Sequence, residues 1–259
     1  MRGEVVLVTG GSRGIGLASA RRFAAAGARV VLVARDEDRL AGAAAELGDE
    51  TVVLPADLTS GTEVTGLVRA VEERIGRVDV LVNCAGQLEV GPAERLGPPI
   101  AERLTSVNYL GPVRLIHACL PLLRRGTRRS IVCVSSLAGK IAPPYMAAYA
   151  ASKFALTAYC RSLRQELRPE GFHVGLVFPG PVDTAMIEGR IRTRYYPLPP
   201  GTPVLDEDAA AAAVVHTVLR RADEWVVPRR LAAAMRLGQA FPGVVDVVYR
   251  LMERGRAAP

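Results

Sequence analysis

The stretch Val6–Gly16, VLVTGGSRGIG, decides the fold: an apolar run ends in a glycine-rich turn, and a helical pattern begins at Ile15. Glycines let a backbone turn tightly and approach a pyrophosphate, while the free N–H groups and positive end of the following helix attract its charge. Alone, the turn is also compatible with an ordinary strand-to-helix connection. Its spacing, TGxxxGxG through Gly10, Gly14 and Gly16, is also not the GxGxxG form, so the flanking strand and helix carry the argument.

Outward from this unit the pattern repeats. Short runs rich in Val, Ile and Leu predict strands near Val5–Thr9, Arg29–Val33, Thr51–Pro55, Val78–Asn83, Ser130–Ser135, His173–Phe178 and Trp225–Val227. Helical periodicity fits between them at Ile15–Ala26, Asp38–Leu47, Thr62–Ile75, Ile100–Leu123, Met146–Arg168 and Asp206–Arg221, several closed by glycine. The alternation predicts an α/β fold: a doubly wound parallel sheet of about seven strands, helices on both faces, in a single domain over residues 1–259. Two segments break it. Residues 182–205, VDTAMIEGRIRTRYYPLPPGTPVL, are too long and proline-rich for a connection and read as a lid over a ligand. Residues 228–259 read as two amphipathic helices separated at Pro242.

Composition narrows the classes. A hydrophobic fraction of 49 % in 259 residues supports a sizeable core. The first apolar run begins at Glu4 without a charged leader, no run approaches a membrane span, and four scattered cysteines lack CxxC spacing. A reducing, cytoplasmic setting without a signal peptide, a disulfide or a metal site is expected. The net charge of +7 is spread along the chain and aromatics make up 5 %, which argues against nucleic acid and leaves an anionic ligand open.

The stretch Tyr149–Lys153, YAASK, holds one of only two lysines among 33 basic side chains, the other being Lys140. A chain that otherwise uses arginine places a compact, rotatable ammonium where a planar guanidinium cannot serve. Tyr149 and Lys153 are four apart on a predicted helix and share a face. Reduction of a ketone by hydride needs a proton delivered to its oxygen. A tyrosine suits that task if a cation favours its phenolate, so Lys153 is expected to lower the Tyr149 pKa while its other donors hold a ribose hydroxyl.

TGxxxGxG at Thr9–Gly16, NCAG at Asn83–Gly86, SVNYLG with Asn108, VSSLAG with Ser136, YxxxK, and PGPVDT at Pro179–Thr184 occur in one order. Together they resemble the short-chain dehydrogenase/reductase family in its compact, Rossmann-like, single-domain form. The resemblance covers roughly the first 230 residues, departing at Cys84, where that turn most often carries a second Asn. It implies a catalytic set of Asn108, Ser136, Tyr149 and Lys153: Ser136 bonds the substrate carbonyl, with Ser135 as its neighbour, and Asn108 bends a helix and extends a proton relay from Lys153. It further implies dinucleotide contacts from Gly10, Ser12, Arg13, Gly14, Ile15 and Gly16 in the turn, from Asp57 and Leu58 at the adenine, and from Asn83, Ala85 and Gly86. Tyr149 and Lys153 belong to that set too, with Pro179, Gly180, Val182 and Thr184, the last orienting the carboxamide. A homodimer or homotetramer through the Ile100–Leu123 and Met146–Arg168 helices is implied as well.

The second strand chooses the dinucleotide. Where NAD-type members of the resembled family carry Asp this chain has Ala34, followed by Arg35, and Arg13 adds a second cation, so NADP(H) is expected in preference to NAD(H), with Asp36 a potential neutraliser of Arg35. Met186, Ile187, Tyr195, Tyr196 and Leu198 in the lid suggest a hydrophobic ketone or alcohol as substrate, while Arg190, Arg192 and Arg194 leave an anionic acyl carrier open. The function expected is NADP(H)-dependent ketone reduction. A non-catalytic NADPH-binding scaffold, an extended-branch epimerase or dehydratase, and a surface-bound lipid or acyl-thioester reductase are the competing classes. For the tail, the apolar face at Val244, Val245, Val248, Leu251 and Met252 is expected to pack on its own domain or a partner subunit rather than on a membrane.

Overall fold

The computed structural model describes residues 1–191, 193–199 and 201–256, with side chains through Met252. Arg192 of the sequence reading thus lies outside the described residues. The strands are β1 Val5–Thr9, β2 Arg29–Ala34, β3 Val52–Pro55, β4 Val80–Asn83, β5 Ser130–Val134, β6 His173–Pro179 and β7 Glu224–Val227. They form one parallel sheet in the order β3-β2-β1-β4-β5-β6-β7. The order reverses between β1 and β4, and the carboxyl ends of strands at such a switch point are where ligands bind in doubly wound sheets.

Alternation along each strand divides the core. Val5 and Leu7 of β1 face the layer that holds Leu67, Leu115 and Leu163, whereas Val6 and Val8 face Leu17, Phe23, Leu40 and Val214. The first layer is built on α3 Gly61–Arg74, α5 Gly111–Arg125 and α6 Ala147–Leu167; the second on α1 Gly14–Ala25, α2 Glu37–Leu47 and α7 Glu207–Arg220. Asp36, Ser60 and Asp206 cap α2, α3 and α7 through their side chains, satisfying first-turn N–H groups.

The helix predicted over Ile100–Leu123 is instead three pieces. α4 covers Pro98–Thr105, a π-helical turn covers Ser106–Leu110, and α5 follows from Gly111. Pro112 lacks the N–H that a continuous α-helix would direct at the Asn108 carbonyl, and Gly111 donates to Ser106 five residues back. Asn108 is meanwhile held from outside the helix: its Oδ1 accepts from the Gln87 N–H at 2.8 Å and its Nδ2 donates to the Gln87 carbonyl at 2.9 Å.

After β7 the chain forms α8 Ala232–Ala240 and α9 Pro242–Arg256, bent by 112°. The tail face divides between two surroundings. Val245 and Met252 turn partly inward, while Val244, Val248 and Leu251 remain exposed rather than packing on their own domain.

At the amino ends of the strands one buried carboxylate ties three segments together. Asp79 is fully buried; its Oδ2 accepts from the Val5 N–H at 2.8 Å, and its Oδ1 from the Thr127 N–H at 2.6 Å and the Thr127 hydroxyl at 3.0 Å. Burial alone would raise its pKa, but those bonds and Arg77 outweigh it and hold the carboxyl below its usual value of 3.8. A depressed folded-state pKa contributes stability above the unfolded value, which is lost as pH falls below 3.8. Asp79→Ala, which strands two backbone donors, is expected to lower unfolding free energy by about 2–4 kcal/mol in urea titration. A loss below about 0.5 kcal/mol would contradict this anchoring.

Candidate functional site

The β1–α1 turn is shaped by close approach. A Cβ on Gly16 would lie 2.2 Å from the Gly10 carbonyl oxygen, so only glycine lets α1 start this near the turn. Gly10 and Gly14 have φ of +65° and +61°, values disfavoured for other residues. Arg13 precedes α1 in extended backbone without a side-chain cap, which leaves first-turn N–H groups directed at the cavity in front of the turn.

That cavity, about 1100 Å³, runs from the β2 end past the turn to the lid and tail. Every residue assigned from the sequence lines it except Asn83 and Asn108, which stand behind the wall. Asn83 donates to Cys133 Sγ at 3.6 Å, while its buried Oδ1 has no partner among the described residues. The N–H groups of Cys84 and Ala85 both donate to Thr9 Oγ1 at 3.1 Å, fixing the β4 turn against β1. Desolvation pushes the Cys84 thiol up to about 12, so it stays neutral beside Lys153, consistent with a packing role.

At the β2 end, Arg35 Nη1 lies 3.9 Å from Asp57 Oδ2, with the guanidinium largely exposed. Asp36 does not neutralise Arg35. Its carboxylate caps α2 and pairs with Arg39 at 3.1 Å. Arg13, Arg35 and Arg39 all line the cavity, and nothing in the sequence marks Arg39, which lies in the first turn of α2 beyond the decisive strand end. Asp57 Oδ1 accepts from the Thr59 N–H and hydroxyl, each at 2.8 Å, which leaves Oδ2 toward Arg35. On the opposite side, Gly180 donates to the Val227 carbonyl at 2.8 Å, and Thr184 donates to the Val182 carbonyl at 3.2 Å beside Gly14.

The polar centre lies where β5, α6 and the β4 turn meet. Lys153 is 5 % exposed and its Nζ donates to the Val134 carbonyl at 3.0 Å, 5.9 Å from the Tyr149 ring centroid. Ser135 and Ser136 divide their duties. Ser135 Oγ turns away to Thr157 and the Lys153 carbonyl, whereas Ser136 accepts from the Ala138 N–H at 3.1 Å and hydrogen-bonds Tyr149. Asn108 Nδ2 also donates to Ser152 Oγ at 3.0 Å, locking the π turn to α6.

The acid–base balance differs from the sequence expectation. Burial raises the Tyr149 pKa above 10, the Ser136 bond opposes it, and Lys153 is not among the groups that lower it. The same burial carries Lys153 down to about 8. Proximity along a helix face therefore does not suffice: the ammonium is directed at the Val134 carbonyl rather than the phenol oxygen. Around this centre, Leu88, Met146, Ile187 and Tyr196 form an apolar chamber. The two ends of the lid are joined by Asp183 N–H to Leu205 O and Leu205 N–H to Pro181 O, each at 2.8 Å, and Ile187 and Tyr196 of the lid pack in the chamber. The tail completes the wall with Met235, Val245 and Tyr249, residues outside every recognisable motif.

Comparison with known proteins agrees with this geometry. The family model for "short chain dehydrogenase" matches residues 4–194. "Dehydrogenase/reductase SDR family protein 7-like" of Anopheles gambiae is 39 % identical over 194 residues, 72 % of this chain and 61 % of that protein. "3-ketodihydrosphingosine reductase" of Bos taurus is 37 % identical over 190 residues, 70 % of this chain and 57 % of that protein. The chain thus spans about three fifths of the length of these curated relatives. Among solved structures, a single-residue variant of "Actinorhodin Polyketide Ketoreductase with NADPH" superposes with a TM-score of 0.80 at 30 % identity, covering 88 % of this chain and 97 % of that one. The chain belongs to the short-chain dehydrogenase/reductase family of oxidoreductases.

Proposed function

We propose that the protein is an NADP(H)-dependent oxidoreductase that interconverts a ketone and a secondary alcohol on a hydrophobic substrate. The observation that carries this reading is the meeting of Ser136, Tyr149 and Lys153 at an apolar chamber that continues into the glycine cradle. The cradle fits a dinucleotide, because side chains at Gly10, Gly14 and Gly16 would fill or strain the space in front of α1. The phosphates fall to the α1 N-terminus and Arg13, the adenine side to Asp57 and Leu58, and a 2′-phosphate to Arg35 and Arg39.

A bound dinucleotide supplies hydride to the carbonyl carbon, or accepts it in reverse. Ser136 hydrogen-bonds the carbonyl oxygen, and Tyr149, kept protonated by burial, gives that oxygen its proton. Lys153, cationic below about 8 and bonded to the Val134 carbonyl, keeps its remaining donors for a ribose hydroxyl of the dinucleotide. Asn108 Oδ1 and Lys153 Nζ both flank Gly86, a proximity that supports a relay through Asn108.

The names of the relatives, a 3-ketodihydrosphingosine reductase and a polyketide ketoreductase, support a ketone borne on a long or apolar skeleton. The intact Ser136–Tyr149–Lys153 set favours an enzyme over a cofactor-binding scaffold. Exposed Leu110 and Phe154, beside α5 and on α6, support a homodimer or homotetramer through that face. Four free cysteines suit a cytoplasmic setting.

Tyr149→Phe is expected to cut kcat for NADPH-dependent ketone reduction by about 10²–10⁴-fold with NADPH affinity retained, measured by absorbance and titration. Retention of a tenth of the rate, about 1.4 kcal/mol in barrier, would remove the proton-donor role. Reduction by the wild type should hold level at lower pH and decline as pH rises through about 8, where Lys153 loses its proton. A profile rising across that range would contradict the assignment. Arg35→Ala should weaken NADPH about tenfold more than NADH, the exposed guanidinium being partly screened. Equal weakening of both would make Arg35 a surface cation only.

A further inference from the structure

The C-terminal hairpin carries a surface that neither the fold nor the proposed reaction explains. α9 has two apolar stripes. Val245, Tyr249 and Met252 turn inward, whereas Val244, Val247, Val248 and Leu251, spaced i, i+3, i+4, i+7, stay outside. Leu237 on α8 and Phe241 at the bend extend the outer stripe, with Phe241 and Leu251 each 60 % exposed. These six side chains form the largest run of exposed apolar residues in one segment among those described, and such patches on soluble folds mark interaction sites.

The hairpin is anchored, so its outer face is presented in a fixed direction. A Cβ on Gly238 would lie 2.9 Å from Val245, which shows how closely α8 and α9 pack. Lys140 reaches Gln239 of α8 at 3.3 Å and Glu224 at 2.6 Å. Charge then selects what covers the stripe. From Pro228 onward the sequence has six arginines against only Asp246 and Glu253. Among the described residues, no acidic side chain pairs with Arg230, Arg236 or Arg250.

We propose that this face docks the protein on an anionic lipid surface, with Phe241, Val247 and Leu251 entering the interface and the tail arginines meeting lipid phosphates. A second copy is the weaker occupant, because a symmetric contact would set the same surplus of positive charge against itself. No single helix among the described residues is long and apolar enough to cross a membrane, and the α8–α9 pair, which together has the length and composition, is bent by 112°; the contact proposed is with the surface. Val244 and Val248 belong both to the exposed stripe and to the cavity wall. Docking would therefore bring the apolar chamber to the bilayer, from which a lipid-like ketone enters, a consequence that rests on the reductase reading while the docking itself does not.

The test is co-sedimentation of the full chain with vesicles of phosphatidylcholine alone and of phosphatidylcholine mixed with phosphatidylglycerol. Partitioning into the mixed vesicles is expected to be at least about tenfold stronger and to weaken with added salt. The double variant Val247→Glu/Leu251→Glu should lose that binding by about tenfold or more while keeping its circular dichroism and its turnover of a short, water-soluble ketone. Equal or negligible binding to both vesicle types overturns the proposal. So does a double variant that binds vesicles normally but falls from oligomer to monomer, since a second copy then covers the stripe. Vesicle binding by a protein that reduces no ketone would leave docking standing and remove only the reductase reading.

Discussion

The site depends on a buried ammonium held by a backbone carbonyl. Lys153 enters an almost dry position between β5 and α6, and its bond to the Val134 oxygen is what makes that burial tolerable. The bond ties the catalytic helix to the end of β5, two residues before Ser136, so the phenol, the hydroxyl and the ammonium share one frame. It also accounts for a lysine in an arginine-rich chain. A guanidinium would bring five donors in a rigid plane to a position that offers one carbonyl, whereas the ammonium meets that carbonyl and keeps donors for the cavity. The only other lysine, Lys140, is likewise buried, where it bonds Glu224 and Gln239 and lies over the Phe178 ring. Both lysines of the chain are thus buried.

Much of this was legible because it follows from local rules. Runs such as VVLVT and SIVCV are buried on both faces, which is why their ends were placed within a residue or two. The YxxxK pair needed only helical spacing. What the sequence hid depends on contacts between distant segments. The π turn at Asn108 arises from bonds to Gln87, 21 residues earlier, and a continuous helix is the sensible local reading without them. Asp79 looks like one polar residue between valines until the fold brings Val5 and Thr127 to its two oxygens. The direction of the Tyr149 shift lies outside a spacing argument because burial outweighs the Ser136 bond and the Lys153 ammonium is turned to the Val134 carbonyl.

The division between scaffold and variable parts is also physical. The glycine turn, the β4 turn and α6 are bonded to the sheet, through Gly11 to Val33, Cys84 and Ala85 to Thr9, and Lys153 to Val134, and the family model covers residues 4–194. The wall of the apolar chamber is in part built from the lid and the tail, where the spacing is irregular and side chains from separate segments converge. The glycine cradle thus lies in the part of the sequence that is easiest to read, and much of the chamber wall in the part that is hardest.

The account's central claim is that this cradle and this polar centre work together as a hydride-transfer site. The most direct measurement is the isotopic content of the alcohol formed from a hydrophobic ketone when NADPH carries deuterium at the reactive nicotinamide carbon. The account predicts one deuterium retained at the new carbinol carbon, with its stereochemistry fixed, because the chamber presents one face of the ketone. Alcohol without deuterium at that carbon, or NADPH bound tightly with no product from any hydrophobic ketone, would contradict it.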